Sequence, residues 1–319
     1  MTYEEFKTSL TAEIQANCER AIIFTDEIIT KANEVLEGLT MRFEGESVSP
    51  TIYPQKIYED YQKGVPFSKI VDGISAALQE EIPEIPELSV ENAEKSISFS
   101  LFNKEKNKEL LETCPYKEIH DLAAVPRWHI SAEASFVVSN NVMQRLRLTK
   151  EEVLDIAQKN TESADYVCKN INELLRNIMM EDGLPEELAN EMFPDGQIPF
   201  YVISNEKKID GSCAVLSDSF MQKVAEELGA EELYLLPSSR HEMLAADSNV
   251  VDDPAELKKM VMSVNSNSSV MKAGDYLSNS VYKYNAVTRS LSMCDSEGIF
   301  HDKGVEKDAP KKSFSKGRD

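Results

Sequence analysis

The stretch Leu233–Asn249 constrains the fold of this chain more than any other. Two apolar runs, Leu233–Leu236 and Met243–Ala246, are separated by Pro237 and by Ser238, Ser239, Arg240, His241 and Glu242. Runs this short, carrying Leu and Tyr between polar breaks, do not supply the repeating apolar stripe of a helix and suit buried strands. The break sets two hydroxyls, a guanidinium, an imidazole and a carboxylate within five residues. It is therefore also the first place to look for chemistry.

The length of 319 residues permits one large domain or two to three small ones, each with a core of its own. A body that is 41% hydrophobic and 28% charged has the balance of a folded protein, not of a disordered one. The formal charge of −22, from 34 basic and 56 acidic residues, is the unusual quantity. Phosphate binding requires a Lys/Arg footprint, so the sequence predicts no nucleic-acid partner and no adhesion to an anionic membrane. The plain meaning of the acidity is solubility; the sharper one is an acidic face for a basic protein partner. Five scattered cysteines without a Cys-x-x-Cys pair imply no disulfide framework. The N-terminus has neither the basic start nor the apolar run of a signal peptide, and no stretch approaches a membrane span. The expected location is cytoplasmic.

Along the chain, Tyr3, Phe6, Leu10 and Ile14 fall at helical spacing. Strands are expected at Ala21–Thr30 and Leu39–Glu46 around a turn near Asn33–Gly38, then a helix through Ile57, Tyr58 and Tyr61, and another from Pro66 to about Glu80. These make an N-terminal α+β unit over 1–80. The acidic, proline-bearing segment 81–95 is expected to be a linker. A middle unit over 96–180 holds a strand at Ile97–Phe102, a helix at Lys104–Thr113, a hairpin of Asp121–Ile130 with Ser135–Ser139, and helices at Thr149–Lys159 and Ala164–Met180. Segment 181–198, with Gly183, Pro185, Pro194 and Gly196, is a connection. The C-terminal unit over 199–300 opens with a hairpin of Phe200–Ser204 and Cys213–Leu216 turned by Asp210-Gly211. Helices at Asp218–Leu228, ended by Gly229, and at Asp253–Asn265 follow, with a closing hairpin of Val281–Tyr284 and Ser290–Met293. The tail, 301–319, lacks apolar periodicity and is expected to be disordered.

Val137–Leu146 and Val215–Val224 align without a gap, with Val137/Val215, Ser139/Ser217, Met143/Met221 and Gln144/Gln222 identical. Each passes through a Ser-Asn or Ser-Asp junction suited to a helix N-cap. The match predicts a strand–strand–helix unit used twice. The fold class that follows is α+β: repeated β-hairpin-plus-helix units, mostly antiparallel sheets with helices on one face.

Several motifs carry a family resemblance: Tyr3-Glu-Glu-Phe-Lys7, Val48-Ser-Pro-Thr-Ile-Tyr53, Asn107-Lys-Glu-Leu-Leu111, Asp121-Leu-Ala123, Leu236-Pro-Ser-Ser-Arg-His-Glu242 and Leu277-Ser-Asn-Ser-Val-Tyr282. Through them the chain resembles a bacterial family of unknown function, domain of unknown function 5688, over nearly everything except the tail. The family pattern has an apolar residue where Arg240 stands, and a Lys-Asn-Asn-Gly turn where this chain has Lys31-Ala-Asn-Glu34. The resemblance implies a fold and no activity.

Ser238, Ser239, His241 and Glu242 are the candidate catalytic residues. On a strand Ser239 and His241 share a face, so a serine-type hydrolase with Ser239 as nucleophile and His241 as base is one reading. Against it, triads draw their members from separate elements, and no Gly-x-Ser-x-Gly elbow is present. The alternative is a turn whose polar side chains satisfy backbone groups between two buried strands. No metal site is expected, because the second histidine of a zinc-protease helix would fall at Ala245 and the other histidines, His120, His129 and His301, are isolated. No cofactor is expected either, since no glycine-rich phosphate loop occurs. Trp128, the tyrosines Tyr53, Tyr58 and Tyr61, and the methionines fit core or core-edge positions. The leading function is a non-enzymatic cytoplasmic binding or regulatory protein acting through an acidic surface on a protein partner. The hydrolase stands as alternative, and an acidic mimic of nucleic acid stands behind both. Oligomeric state is not legible.

Overall fold

The computed structural model describes residues 1–45, 49–79, 87–131, 134–251, 253–295 and 297–302, and is an α+β protein with antiparallel sheets. Two compact units divide it. The first comprises Met1–Lys117, Val125–Asn160 and Lys272–Tyr276; the second comprises Glu118–Ala124, Thr161–Met271 and the chain from Leu277 onward.

The first unit opens with α1 (Tyr3–Ala16), started by a capping box in which Thr2 Oγ1 accepts from the Glu5 amide and Glu5 accepts from the Thr2 amide. Its helical repeat buries Phe6, Leu10 and Ile14 completely. They pack with Met41, Phe43 and Val71, so α1 is held by a core to which each large side chain contributes about 1.5–3 kcal/mol. Strands β1 (Ile23–Lys31) and β2 (Glu34–Arg42) pair along their whole length, and β3 (Thr51–Ile52) adds to β2. The turn therefore falls at Ala32-Asn33, not at Asn33–Gly38. Asn33 takes φ +62°, a left-handed conformation that Asn tolerates better than most residues, so the glycine of the family turn is dispensable here. Gly38 instead lies inside β2, where a Cβ would stand 2.5 Å from Ile29 Cδ1 and 3.0 Å from Thr51 Cγ2. Helices α2 (Pro54–Gln62) and α3 (Phe67–Ala77) close this core with Tyr58, Tyr61 and Phe67 around Phe6.

Next come α4 (Val90–Ser96), β4 (Ile97–Asn103), α5 (Lys108–Glu112), β5 (Lys117–Ile119), β6 (Leu122–His129), β7 (Ser135–Val137), α6 (Asn140–Leu146) and α7 (Lys150–Glu162). Their sheet runs β4-β6-β5, with β7 antiparallel on β6 as the hairpin reading expects. Trp128 is fully buried and stacks on Phe136, a core position. Of the expected linker, residues 81–86 lie outside the described residues, and its last part enters α4.

In the second unit the segment Ala164–Met180, expected as one helix, splits into β8 (Tyr166–Asn170) and α8 (Ile171–Glu181). Asn170 ends the strand and caps the helix by accepting from the Asn172 amide at 2.8 Å. The expected connection contains a further helix, α9 (Glu186–Met192). Strand β9 (Tyr201–Asn205) follows, but Cys213–Leu216 is no strand. It belongs to a 3-10 helix, Gly211–Leu216, that leads into α10 (Asp218–Leu228). Strands β10 (Glu232–Ser239) and β11 (Glu242–Asp247), helix α11 (Pro254–Asn265), and strands β12 (Tyr282–Asn285), β13 (Ser290–Cys294) and β14 (Phe300–Asp302) complete the unit.

Seven strands form its sheet in the order β14-β13-β12-β10-β11-β9-β8. Tyr234 and Leu236 face Leu257 and Val261 of α11. Leu233 and Leu235 point to the other face and are also fully buried. There Tyr284, opposite Leu233 in register, accepts through its hydroxyl from Gln222 of α10 at 2.7 Å. This sheet thus has a helix on each face, and the one-sided arrangement does not extend to it.

The two matched decapeptides share their helix caps and not their approach. Ser139 Oγ accepts from Val142 N and Ser217 Oγ from Phe220 N, but one cap follows a strand and the other the 3-10 helix. The strand–strand–helix unit expected at both segments is therefore not shared by them. Of the tail, 303–319 lies outside the described residues. His301 belongs to β14, opposite Met293, with Nε2 2.6 Å from Asp295 Oδ2.

Candidate functional site

The polar cluster is the turn between β10 and β11. Ser239 pairs with Glu242, leaving Arg240 and His241 as a two-residue loop. Neither takes a positive φ, so the loop lacks the primed-turn geometry that matches the twist of paired strands. Two features compensate. The register shifts between Pro237 and Ser239, so Ser238 is the extra residue of a bulge that adds twist. The end of β9 and the segment after it then grip the turn. Ser204 Oγ donates to His241 O at 2.7 Å, and Ser212 Oγ donates to Arg240 O at 2.6 Å. The Asp210 amide donates to His241 Nδ1 at 3.2 Å, and its carboxylate pairs with Arg240 Nε at 3.2 Å.

Backbone strain marks this grip. Lys208 and Asp210 take φ of +51° and +52°. Asn205 ties the loop by accepting from Ile209 N and donating to Ile209 O. Gly211 has no room for a side chain: a Cβ would stand 2.5 Å from His241 O and 2.8 Å from Asn205 N, and closer still to Ser204 Oγ. Asp210-Gly211, which reads as a hairpin turn, is in fact the platform for a different hairpin.

Each candidate catalytic group has a partner in this arrangement. Ser238 Oγ donates to Glu242 Oε1 at 3.0 Å, and Ser239 Oγ accepts from the His241 amide at 3.0 Å. A backbone N–H can only donate, so His241 Nδ1 is an acceptor, and the neutral ring carries its proton on Nε2. A triad histidine has the opposite arrangement: Nδ1–H donates to a carboxylate and bare Nε2 takes the serine proton. Ser204, Asp210, Gly211 and Ser212 escaped the sequence reading, and their one sequence signal, an Asp-Gly pair, points to the wrong structure.

The other marked residues are also engaged. Asp121 accepts from Ser278 Oγ at 2.5 Å, Tyr282 OH at 2.5 Å and Ser280 Oγ at 3.2 Å. His120 donates through Nε2 to Leu291 O at 2.7 Å. Tyr3 donates to Glu37 at 2.7 Å, while Lys7 bridges Glu37 and Asp26. The Tyr3 phenol is pushed up to about 12, first by burial and then by the Glu37 carboxylate it donates to. Burial pulls the Lys7 ammonium down, but its bonds to Asp26 and Glu37 outweigh this and hold it above the ordinary value. Asn107 donates to Asn33 Oδ1 and accepts from the Asn33 amide, both at 2.8 Å, which pins the tip of the β1–β2 hairpin. The motifs that carry the family resemblance are, wherever described, fastenings between elements.

Beside the turn lies an apolar depression of about 110 Å³, lined by Leu236, Pro237, Leu244, Met260, Val261 and Val264 among others. That is well under the roughly 300–1,000 Å³ of small-molecule sites. A depression of about 500 Å³ in the first unit, at the ends of α1 and α3, is lined by Asn17, Cys18, Arg20 and Ser75 and contains no histidine. Among the described residues no three His, Cys, Asp or Glu side chains gather as a metal site, and no helix is long and apolar enough to cross a membrane.

Residues 3–286 match a family of unknown function, DUF5688. No curated protein and no solved structure matches the chain.

Proposed function

Since the chain belongs to DUF5688, a family of unknown function, its activity has to be read from its own geometry, and we propose a binding or regulatory protein that acts on a protein partner through its acidic surface. One observation carries the choice over a hydrolase: His241 Nδ1 accepts from the Asp210 amide. With Nδ1 so held, the proton sits on Nε2, where a general base for Ser239 would need a lone pair. Ser239 Oγ is itself an acceptor for the turn. The cluster serves as a clasp for β10 and β11.

The acidity then needs an account beyond solubility. At −22 the surface attracts cationic partners, speeds their encounter and repels nucleic acid and anionic lipid. A protein partner bearing a basic patch, met in the cytoplasm, fits that field.

A serine-directed fluorophosphonate tests the hydrolase reading. No labelling is expected; stoichiometric labelling of the wild type, lost in Ser239→Ala, overturns the proposal. Cross-linking in the cells that make the protein, with identification of the neighbours, tests the partner. The expected neighbour is a basic protein whose complex comes apart near 0.5 M salt, where screening shortens the reach of surface charge to a few ångströms. A complex indifferent to salt, or a chain that cross-links to nothing, counts against an acidic docking surface.

A further inference from the structure

The binding reading leaves open where on the acidic surface a partner docks, and the α8–α9 pair narrows it. Helix α8 ends at Glu181; Gly183, at φ +95°, turns the chain, and α9 begins at Glu186. The chain then runs back along α8, since Arg176 NH1 donates to Phe193 O at 2.7 Å and NH2 pairs with Asp195 at 2.8 Å. Ala189 is buried in this pairing.

The pair leaves large apolar side chains uncovered. Ile178 is 50% exposed, Leu188 47% and Met192 53%. On α8 the positions Ile171, Leu174, Leu175, Ile178 and Met179 fall on one side of the helix, yet Asn172 is its only fully buried residue. On α9, Leu188 and Met192 stand four apart and form a row along the helix. Glu187 and Glu191, also four apart and exposed, form the adjacent row. From Ile171 to Gln197 seven acidic residues stand against one basic residue, Arg176, so these 27 of 319 residues carry −6 of the net −22. Arg176 is largely buried and already paired with Asp195. On α9 an apolar row thus runs beside a row of carboxylates, a face neither plainly solvated nor plainly hydrophobic.

Resting on the binding reading above, we infer that the α8–α9 pair is the docking surface and that its occupant is a basic amphipathic helix. Such a helix lays apolar residues at i, i+3, i+4 and i+7 against Ile178, Leu188 and Met192 and sets flanking Lys or Arg opposite Glu187 and Glu191. Two packed helices offer a groove along their axes, into which the side-chain ridges of a third helix fit. The charge rim selects the sign of the partner, and the methionine adapts to its shape.

The test uses the full chain and a fluorescein-labelled Leu/Lys peptide with its leucines on one helical face. A peptide of the same composition, scrambled so that the leucines no longer share a face, is the control. The amphipathic peptide is expected to bind more tightly than the scrambled one. Leu188→Ser with Met192→Ser is expected to weaken it about ten-fold or more, as is Glu187→Lys with Glu191→Lys. Both pairs are exposed, and circular dichroism with the melting temperature confirms that the variants fold. Glu187→Gln with Glu191→Gln repeats the charge test without reversal. Glu13→Lys with Glu109→Lys, in the first unit, is expected to change nothing. If binding survives Leu188→Ser with Met192→Ser but falls in Glu13→Lys with Glu109→Lys, the docking site is misplaced while the acidic-surface function stands. Equal binding of the two peptides removes the helical groove. No binding of either overturns the inference, and the cellular cross-linking then judges the function on its own.

Discussion

At the scale of single residues, the clasp around His241 makes an unequal prediction for two neighbouring side chains. Removing the imidazole leaves the Asp210 amide without its acceptor in a segment where Asp210 is almost fully buried. His241→Ala is therefore expected to destabilise the protein by about 1–3 kcal/mol, the cost of an unsatisfied buried donor. Ser239→Ala removes only the acceptor for the His241 amide, at a half-exposed turn that water reaches, and should cost about 1 kcal/mol or less. Thermal melts of both variants check the order; a Ser239→Ala variant less stable than His241→Ala refutes the clasp. That Ser238–Glu242 belong together was legible from their spacing alone. What holds them was not, because Asp210 stands 31 residues before His241 and its contact is through a backbone amide, which no residue type announces. Gly211 shows the same limit. It is a glycine because backbone crowds it from outside, whereas the local sequence suggests a glycine that frees a turn.

At the scale of elements, the start of α10 gives a complete account of its exposed donors and a pH-dependent one. The amides of Asp218 and Ser219 donate to the Glu162 carboxylate at 2.8 and 2.9 Å. The Phe220 amide goes to Ser217 Oγ and the Met221 amide to Ser217 O. Burial alone would raise the Glu162 carboxyl, but the bonds from Ser219, Asp218 and Ser217 outweigh it and hold the group below the usual carboxylate range. A carboxyl depressed by folding stabilises the native state above its unfolded pKa, near 4.5, and loses that contribution as pH falls through the folded value. Glu162→Gln should therefore cost about 0.5–2 kcal/mol at pH 7, with the gap to wild type closing below about pH 4.5. Urea titrations across pH 3–7 measure this; a gap that stays constant means that the charge is idle. The cap at Ser217 was visible in the sequence, as were α1, α10 and the strands of Leu233–Ala246, because each rests on local periodicity or a local cap. The split of Ala164–Met180 into β8 and α8 was not, since Tyr166–Asn170 is a strand only through its pairing with β9. Nor was the two-sided cover of β10, although Leu233–Leu236, apolar at each of its positions, carries that signal.

For the whole molecule, the net charge works against the fold that carries it. Exposed ion pairs such as Lys95–Glu91, Lys63–Asp60 and Lys259–Glu256 contribute little in water, and salt weakens them further. Opposing them is repulsion among 56 acidic residues with only 34 basic ones to offset it. That repulsion acts over longer distances than the pairs do, so screening removes more of it. Raising salt from about 0.01 M to 0.15 M shortens the screening length from about 30 Å to about 8 Å. This spares contacts at 3 Å and silences carboxylates a helix width apart. The melting temperature at pH 7 is thus expected to rise by several degrees over that range. Sodium chloride and tetramethylammonium chloride should act alike, because the effect is screening and not capture of a particular ion. Near the sequence pI of about 4.7 the net charge vanishes, and the rise should vanish with it. A melting temperature that falls with salt at pH 7 would show the local pairs to be dominant. A rise confined to sodium would show a bound cation instead of a relieved field.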